Sequence, residues 1–186
     1  VARPVRAFPG ASTTALVTAG LSSVVLGALG LWFLLDPGRN PLADPDQALP
    51  RFLDAYDQRL TATTRLYPGV ADTLARVHHG ARVSVLTNKP QAATDAILEA
   101  LGVATYVHAA LGGDTPYGRK PSPDALRALI DQAAIPAHQT LMVGDSWVDV
   151  ATATAAGIDA CLVAYGFGYP AVDAEHRAQA RWTIPT

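Results

Sequence analysis

From about Pro68 to the C-terminus, short apolar runs alternate with segments in which apolar residues recur every three or four positions. The short runs are typical of buried strands, and the longer repeats are typical of amphipathic helices. The predicted strands are residues 81–86, 106–111, 140–143 and 160–164. Because strands alternate with helices, the pattern predicts an α/β fold with a Rossmann-like parallel sheet over residues 65–186.

The helical spacing is clearest around residues 93–101 and 126–133. Pro90 and Pro123 precede these segments, and proline suits the start of a helix because its missing N–H is not needed there. Gly102 follows the first segment, where helices commonly end. The two stretches are therefore predicted helices between the strands.

The first third of the chain has a different pattern. No charged residue lies between Arg6 and Asp36, and the stretch from Ala15 to Leu35 is almost entirely apolar or small. Its length, with basic residues before it, fits a membrane-spanning helix or signal anchor. The alternative is a pair of apolar helices in a helical cap, followed by an amphipathic helix at residues 51–60. We predict a partial helical cap over residues 1–64, and both interpretations of residues 15–35 stay open.

Composition narrows the function classes. Of the 186 residues, 49% are hydrophobic and 16% are charged, and the net charge is −2. A general nucleic-acid binder would need a basic face, so we expect no nucleic-acid partner. The single cysteine, Cys161, excludes a disulfide within the chain and favours the cytoplasm. Nothing in the pattern predicts an oligomeric state.

The segment Leu-Met-Val-Gly-Asp-Ser-Trp-Val-Asp at residues 141–149 carries the strongest chemical signal. An apolar strand runs into Gly144, Asp145 follows at its carboxyl end, and Asp149 lies one helical turn further on. Ligands of open α/β sheets bind at that end of the strands, and carboxylates suit Mg²⁺. The alternative is that Asp145 caps the next helix and Asp149 lies on its exposed side.

Two further segments carry polar residues directly after predicted strands. Thr87 and Asn88 end one strand, just before a helix whose N–H groups favour a phosphate. Turn chemistry alone also accounts for Asn88. Lys120 precedes Pro121 at the entrance to another helix, where its point charge could neutralise a phosphoryl group. A surface lysine before a helix is the plainer interpretation.

In this order and spacing, the three segments resemble the second, third and fourth motifs of the haloacid dehalogenase superfamily. The resemblance covers residue 51 to the C-terminus. It is closest to the phosphoglycolate phosphatase group, through residues 67–70, 86–90, 112–115, 119–121 and 142–146.

The resemblance implies a Mg²⁺-dependent phosphatase of a small phosphorylated metabolite, with 2-phosphoglycolate as the first guess. It implies that Thr87 and Asn88 bind the phosphate and that Lys120 binds and stabilises the transferring group. Asp145 is implied as the catalytic metal ligand, with Asp149 supporting it in the metal site.

The same family implies a first motif, an apolar strand ending in Asp-x-Asp-Gly-Thr, whose first aspartate attacks phosphorus. No such segment is recognisable here. Asp36 ends the apolar run at 31–35 but has Gly38 where the second aspartate is expected. Asp44 and Asp46 have the spacing without a strand before them.

The first-motif strand of this family lies between the strands that carry the second and fourth motifs. Without it, the run at 31–35 could fill the gap, the two flanking strands could close up, or the natural protein could begin further upstream. The last is our expectation. If the chain is complete, the alternative functions are a non-catalytic phosphate- or Mg²⁺-binding protein and a membrane-anchored phosphatase-like protein.

Overall fold

The described strands form one parallel sheet. The structure is a computed structural model, which describes residues 14–17, 56, 59–62 and 64–185. In the described part the sheet has six strands, in the order β3-β2-β1-β4-β5-β6, and every neighbouring pair is parallel. The strands are β1 (Thr14–Val17), β2 (Ser84–Leu86), β3 (Ala109–Leu111), β4 (Thr140–Gly144), β5 (Asp159–Val163) and β6 (Trp182–Ile184). The predicted α/β fold is confirmed.

Helices connect the strands, as parallel pairing requires. Their bounds are α1 (Val70–Val77), α2 (Gln91–Ala100), α3 (Asp124–Ala133), α4 (Trp147–Ala156) and α5 (Ala174–Gln179). Helices α2 and α3 lie at the two segments with clear helical spacing. Pro90 and Pro123 stand immediately before them, and Gly102 has the positive φ of 66° that favours glycine after a helix.

Strand β1 corrects part of the sequence interpretation. Ala15–Val17 were predicted to be helical, whether in a cap or in a membrane, and they are extended. The strand pairs with β4 from Thr14 to Val17, and Leu16 pairs with Ser84 of β2. An apolar run by itself cannot distinguish a buried strand from a buried helix, which is why the prediction failed.

Strand β1 excludes two of the three explanations given above for the missing first-motif strand. Because β1 separates β2 from β4, the flanking strands do not close up, and the gap assigned to the run at 31–35 is already occupied. Residues 31–35 themselves lie outside the described part. The expectation of an upstream beginning stays a prediction.

Little else of residues 1–64 is described. Tyr56 and Arg59 are helical, in agreement with the amphipathic helix predicted at 51–60. The division at residue 64 stays a prediction, although β1 belongs to the sheet of the second unit. Among the described residues, no helix combines the length and the apolar character needed to cross a bilayer.

Apolar packing holds the strand ends in place. The main core cluster joins the sheet to α3 and α4 through fully buried side chains: Leu86, Leu126, Leu129, Met142, Val150 and Leu162. Full burial of such a side chain contributes roughly 1.5–3 kcal/mol. The polar residues that follow β2 and β4 therefore project from a rigid support.

Candidate active site

Asp145 lies at the carboxyl end of β4 and is 5% exposed. The backbone N–H of Gly168 donates to its Oδ2 at 2.8 Å. A Cβ on Gly166 would overlap the Asp145 side chain, so only glycine allows the loop after β5 to approach this closely. No described residue donates to Oδ1, which therefore remains for a cation.

The carboxylate of Asp149 is occupied by protein donors. Its Oδ2 accepts the N–H groups of Asp145 at 3.2 Å and Ser146 at 3.1 Å, and the Ser146 hydroxyl at 2.6 Å. Its Oδ1 pairs with Lys120 Nζ at 2.6 Å. Direct metal coordination by Asp149 would break these contacts, so the geometry favours its supporting role.

Lys120 is held at both ends. Its side chain is 11% exposed and pairs with Asp149, whose side chain is 6% exposed. Its backbone N–H donates to Asn88 Oδ1 at 2.8 Å, and its carbonyl accepts from Asn88 Nδ2 at 3.0 Å. The Asn88 side chain, predicted as a phosphate ligand, is thus bound to the lysine loop and keeps one amide hydrogen for a further acceptor.

Thr87 follows β2 and is half-buried. Its Oγ1 accepts the N–H of Lys89 at 3.2 Å, so its own hydrogen is left to donate. A phosphate oxygen is a suitable acceptor, and the role of Thr87 as a phosphate ligand stays a prediction.

The loop after β3 packs against the start of α2. Asp114 Oδ1 accepts the N–H of Gln91 at 2.7 Å and so caps the helix. One N–H at the start of α2, where a phosphate was predicted to bind, is therefore already hydrogen-bonded to Asp114. A Cβ on Gly113 would lie 2.7 Å from the Asn88 carbonyl oxygen, which explains the second glycine of Gly-Gly-Asp.

Hydrogen bonds therefore join the three sequence segments at one edge of the sheet. The predicted site residues Asn88, Lys120, Asp145 and Asp149 lie in this network. Thr87 stands beside Asn88 and bonds to Lys89 of the same turn. The other carboxylates considered as nucleophiles, Asp36, Asp44 and Asp46, lie outside the described residues.

The site suits a magnesium ion with few protein ligands. Among the described residues, no group of three or more His, Cys, Asp or Glu side chains could hold a metal. Mg²⁺ is commonly held by one or two carboxylates, with phosphate and water completing its shell. Asp145 Oδ1 could supply one such ligand, so the residues present are compatible with the ion.

Aromatic side chains border Asp145. The rings of Tyr67 and Tyr165 meet edge to face with 5.2 Å between centroids. Burial raises the pKa of Tyr67, followed by the charge of Asp145 and by Tyr165. Trp147 is 41% exposed and Phe167 73%, so both belong to the rim and not to the core.

Sequence reasoning left the loop at residues 165–169 undecided between the border of the site and the core, and the approach of Gly166 and Gly168 to Asp145 places it at the site. Its signal was the Gly-Phe-Gly that follows β5, since glycines after a strand often mark close backbone approach. A cavity of about 330 Å³ lies elsewhere, between residues 61–66 and the end of α2, and none of the predicted site residues lines it.

Comparison with known proteins agrees with this geometry. A sequence model of the haloacid dehalogenase-like hydrolase family matches residues 39–163. The phosphoglycolate phosphatase of Rhodospirillum rubrum is 46% identical over 120 residues, which are 64% of this chain and 50% of the relative. That of Mesorhizobium japonicum is 43% identical over 129 residues, 69% of this chain and 56% of the relative.

The fold has close counterparts among solved structures. The crystal structure of a predicted phosphoglycolate phosphatase from Haemophilus somnus superposes with a TM-score of 0.75 and 28% identity, covering 90% of this chain and 75% of that one. This chain spans about half the length of the curated relatives it matches. The chain belongs to the haloacid dehalogenase-like hydrolase family.

Proposed function

We propose that the protein is a Mg²⁺-dependent hydrolase of a small phosphomonoester, with 2-phosphoglycolate as the first candidate substrate. The observation that carries the proposal is the hydrogen-bonded line from Asn88 through Lys120 and Asp149 to Asp145. These contacts bring the Lys120 ammonium and the Asp145 carboxylate together at the carboxyl ends of the strands. The names of the R. rubrum and M. japonicum relatives support the choice of substrate.

Within this proposal, the phosphoryl group lies between Thr87 and Lys120. The Thr87 hydroxyl donates to one of its oxygens, and Lys120 balances the charge of the transferring group. Charges act more strongly in a partly buried site than in water, and preorganised groups need no rearrangement during the reaction. Asp149 and Asn88 keep Lys120 in position.

Asp145 Oδ1 is the protein ligand for the metal in this proposal. When bound, Mg²⁺ supplies charge neutralisation at the phosphoryl oxygens. Gly168 orients Asp145 by donating to Oδ2, so that the other oxygen is presented to the ion.

The attacking group is not assigned among the described residues. The residues that follow β1 in the sequence are Thr18, Ala19 and Gly20, where the family resemblance implies an aspartate. This observation favours the second candidate, a non-catalytic phosphate- or Mg²⁺-binding protein. For location, the proposal keeps the cytoplasm, because the buried free thiol of Cys161 suits a reducing compartment.

Phosphate release from 2-phosphoglycolate by the full chain tests the proposal, with Mg²⁺ or with a chelator. We expect Mg²⁺-dependent turnover that Asp145→Asn lowers on the order of a hundredfold or more. Asp131→Asn, on the exposed side of α3, is the matched control and is expected to change nothing. Turnover that survives the chelator would contradict the proposal. Binding of the ligand without turnover would favour the second candidate.

A further inference from the structure

Lys89 is a buried cation to which the described part of the chain supplies no hydrogen-bond partner. The residue is 6% exposed. Among the described residues, its Nζ and Ser84 Oγ are the buried side-chain polar atoms that have no hydrogen-bond partner. A buried charge is much more costly than a buried hydroxyl, and buried charges are paired as a rule. The described side chains supply no anion for this ammonium.

The backbone of Lys89 belongs to the candidate site. Its N–H donates to Thr87 Oγ1 at 3.2 Å, and its carbonyl accepts the N–H of Gly113 at 2.7 Å. The residue before it, Asn88, holds the backbone of Lys120. Lys89 is therefore fixed where the turn after β2 meets the loop after β3.

The two neighbouring cations each have a polar partner. Lys120 pairs with Asp149, and Arg119 Nε donates to the Gly113 carbonyl at 3.1 Å. Lys89 and Lys120 are the two lysines of the sequence. Among the described cations of this region, Lys89 is the one whose side chain is buried and has no polar partner, whereas Arg119 is exposed and keeps its terminal N–H groups.

We propose that Lys89 binds the second anionic group of the substrate, a carboxylate that is not transferred. The inference rests on the proposed function, which places the phosphoryl group at Thr87 and Lys120. An ammonium whose water has already been removed by folding gains more from an anion than an exposed one does. Such a charged contact raises affinity roughly tenfold to a hundredfold.

Two ligands that differ in one group test the inference. In 2-phosphoglycolate a carboxylate stands where ethyl phosphate has a methyl group. Calorimetry on the full chain with Mg²⁺ is expected to show roughly tenfold or tighter binding of 2-phosphoglycolate. Lys89→Met is expected to remove that preference and to leave the affinity for ethyl phosphate within about twofold. Lys89→Arg, which keeps the charge, is expected to retain part of the preference.

Four results would overturn the inference. Equal weakening of both ligands by Lys89→Met would assign the residue to the phosphoryl group or to folding. An unchanged preference would remove it from the site, and so would a wild-type chain that binds neither ligand. Carboxylate preference without phosphate release would leave the inference standing and contradict the proposed hydrolysis. Equal binding and hydrolysis of both esters would contradict the inference and leave the proposed hydrolysis standing.

A second measurement observes the two lysines directly in the wild-type chain. With the two lysines labelled with ¹³C at Cε, their NMR signals are assigned from the Lys89→Arg chain. We expect 2-phosphoglycolate to shift both signals and ethyl phosphate to shift that of Lys120 alone. A Lys89 signal that stays in place when 2-phosphoglycolate binds would overturn the inference.

Discussion

The side-chain amide of Asn88 bonds to both backbone groups of Lys120, accepting from the lysine N–H at 2.8 Å and donating to its carbonyl at 3.0 Å. The two residues are 32 positions apart. The Asn88 side chain takes the place of a neighbouring strand's backbone and so fixes the loop that carries Lys120. The relationship joins the second and third sequence segments and makes Asn88 a positioning residue.

Asn88→Ala tests that role. Loss of two hydrogen bonds is expected to lower the free energy of unfolding by about 1–3 kcal/mol. Because Lys120 would lose its orientation, kcat is expected to fall on the order of ten- to a hundredfold with little change in KM. Urea unfolding and steady-state kinetics measure both effects. Gln132→Ala, exposed on α3, is the control. A large rise in KM at constant kcat would assign Asn88 to direct phosphate binding.

Asp149→Ala is expected to be among the most destabilising single changes in the site. It leaves the Lys120 ammonium buried without a partner, which costs about 3–5 kcal/mol. The double variant with Lys120→Met removes the unpaired charge and is expected to recover part of that loss. A double-mutant cycle from urea unfolding measures the coupling. Strictly additive effects would show that the two side chains do not interact in solution.

Gly166→Ala tests the close approach to Asp145. The added Cβ would overlap the Asp145 side chain, so either the loop or the carboxylate has to move. We expect a loss of about 1–3 kcal/mol in unfolding free energy and weaker Mg²⁺ binding. Gly80→Ala is the matched control, because a Cβ there meets nothing within 4 Å. Equal effects of the two substitutions on stability and Mg²⁺ affinity would refute the assigned packing.

The ligand-free chain is expected to be destabilised by Lys89. Lys89→Met is expected to raise the unfolding free energy near pH 7 by about 1–3 kcal/mol. Burial lowers the pKa of Lys89 below its ordinary 10.5, so the folded state binds fewer protons than the unfolded state as that pH is approached. The wild type therefore gains stability as pH rises. The difference in unfolding free energy between Lys89→Met and the wild type is expected to narrow toward pH 10.5. Urea unfolding of both chains from pH 7 upward measures this difference. A difference that widens with pH would contradict the account.

Much of the fold followed from local patterns. Strands β2 to β5 and helices α2 and α3 lie where short apolar runs and helical spacing predicted them. Strand β1 was missed because an apolar run has no period that separates strand from helix. The short edge strand β6 was missed as well, and its Thr183 and Ile184 are exposed, so it lacks the apolar run of an inner strand.

The positions of the candidate site residues in the fold were predictable, but their contacts were not. Thr87, Lys120 and Asp145 each follow a strand or precede a helix, so their positions could be inferred from sequence. The bridge from Asn88 to Lys120, the cap that Asp114 supplies to α2 and the donation from Gly168 to Asp145 join distant segments. Such contacts depend on how strand ends meet in space, which no local pattern contains.

The most direct test of a single phosphoryl site is calorimetric binding of inorganic phosphate in the presence of Mg²⁺. The account predicts that the wild-type chain binds phosphate and that Asp145→Asn, Lys120→Met and Thr87→Val each weaken it roughly tenfold or more, while Asp131→Asn does not. Phosphate affinity that survives the first three substitutions would contradict the account.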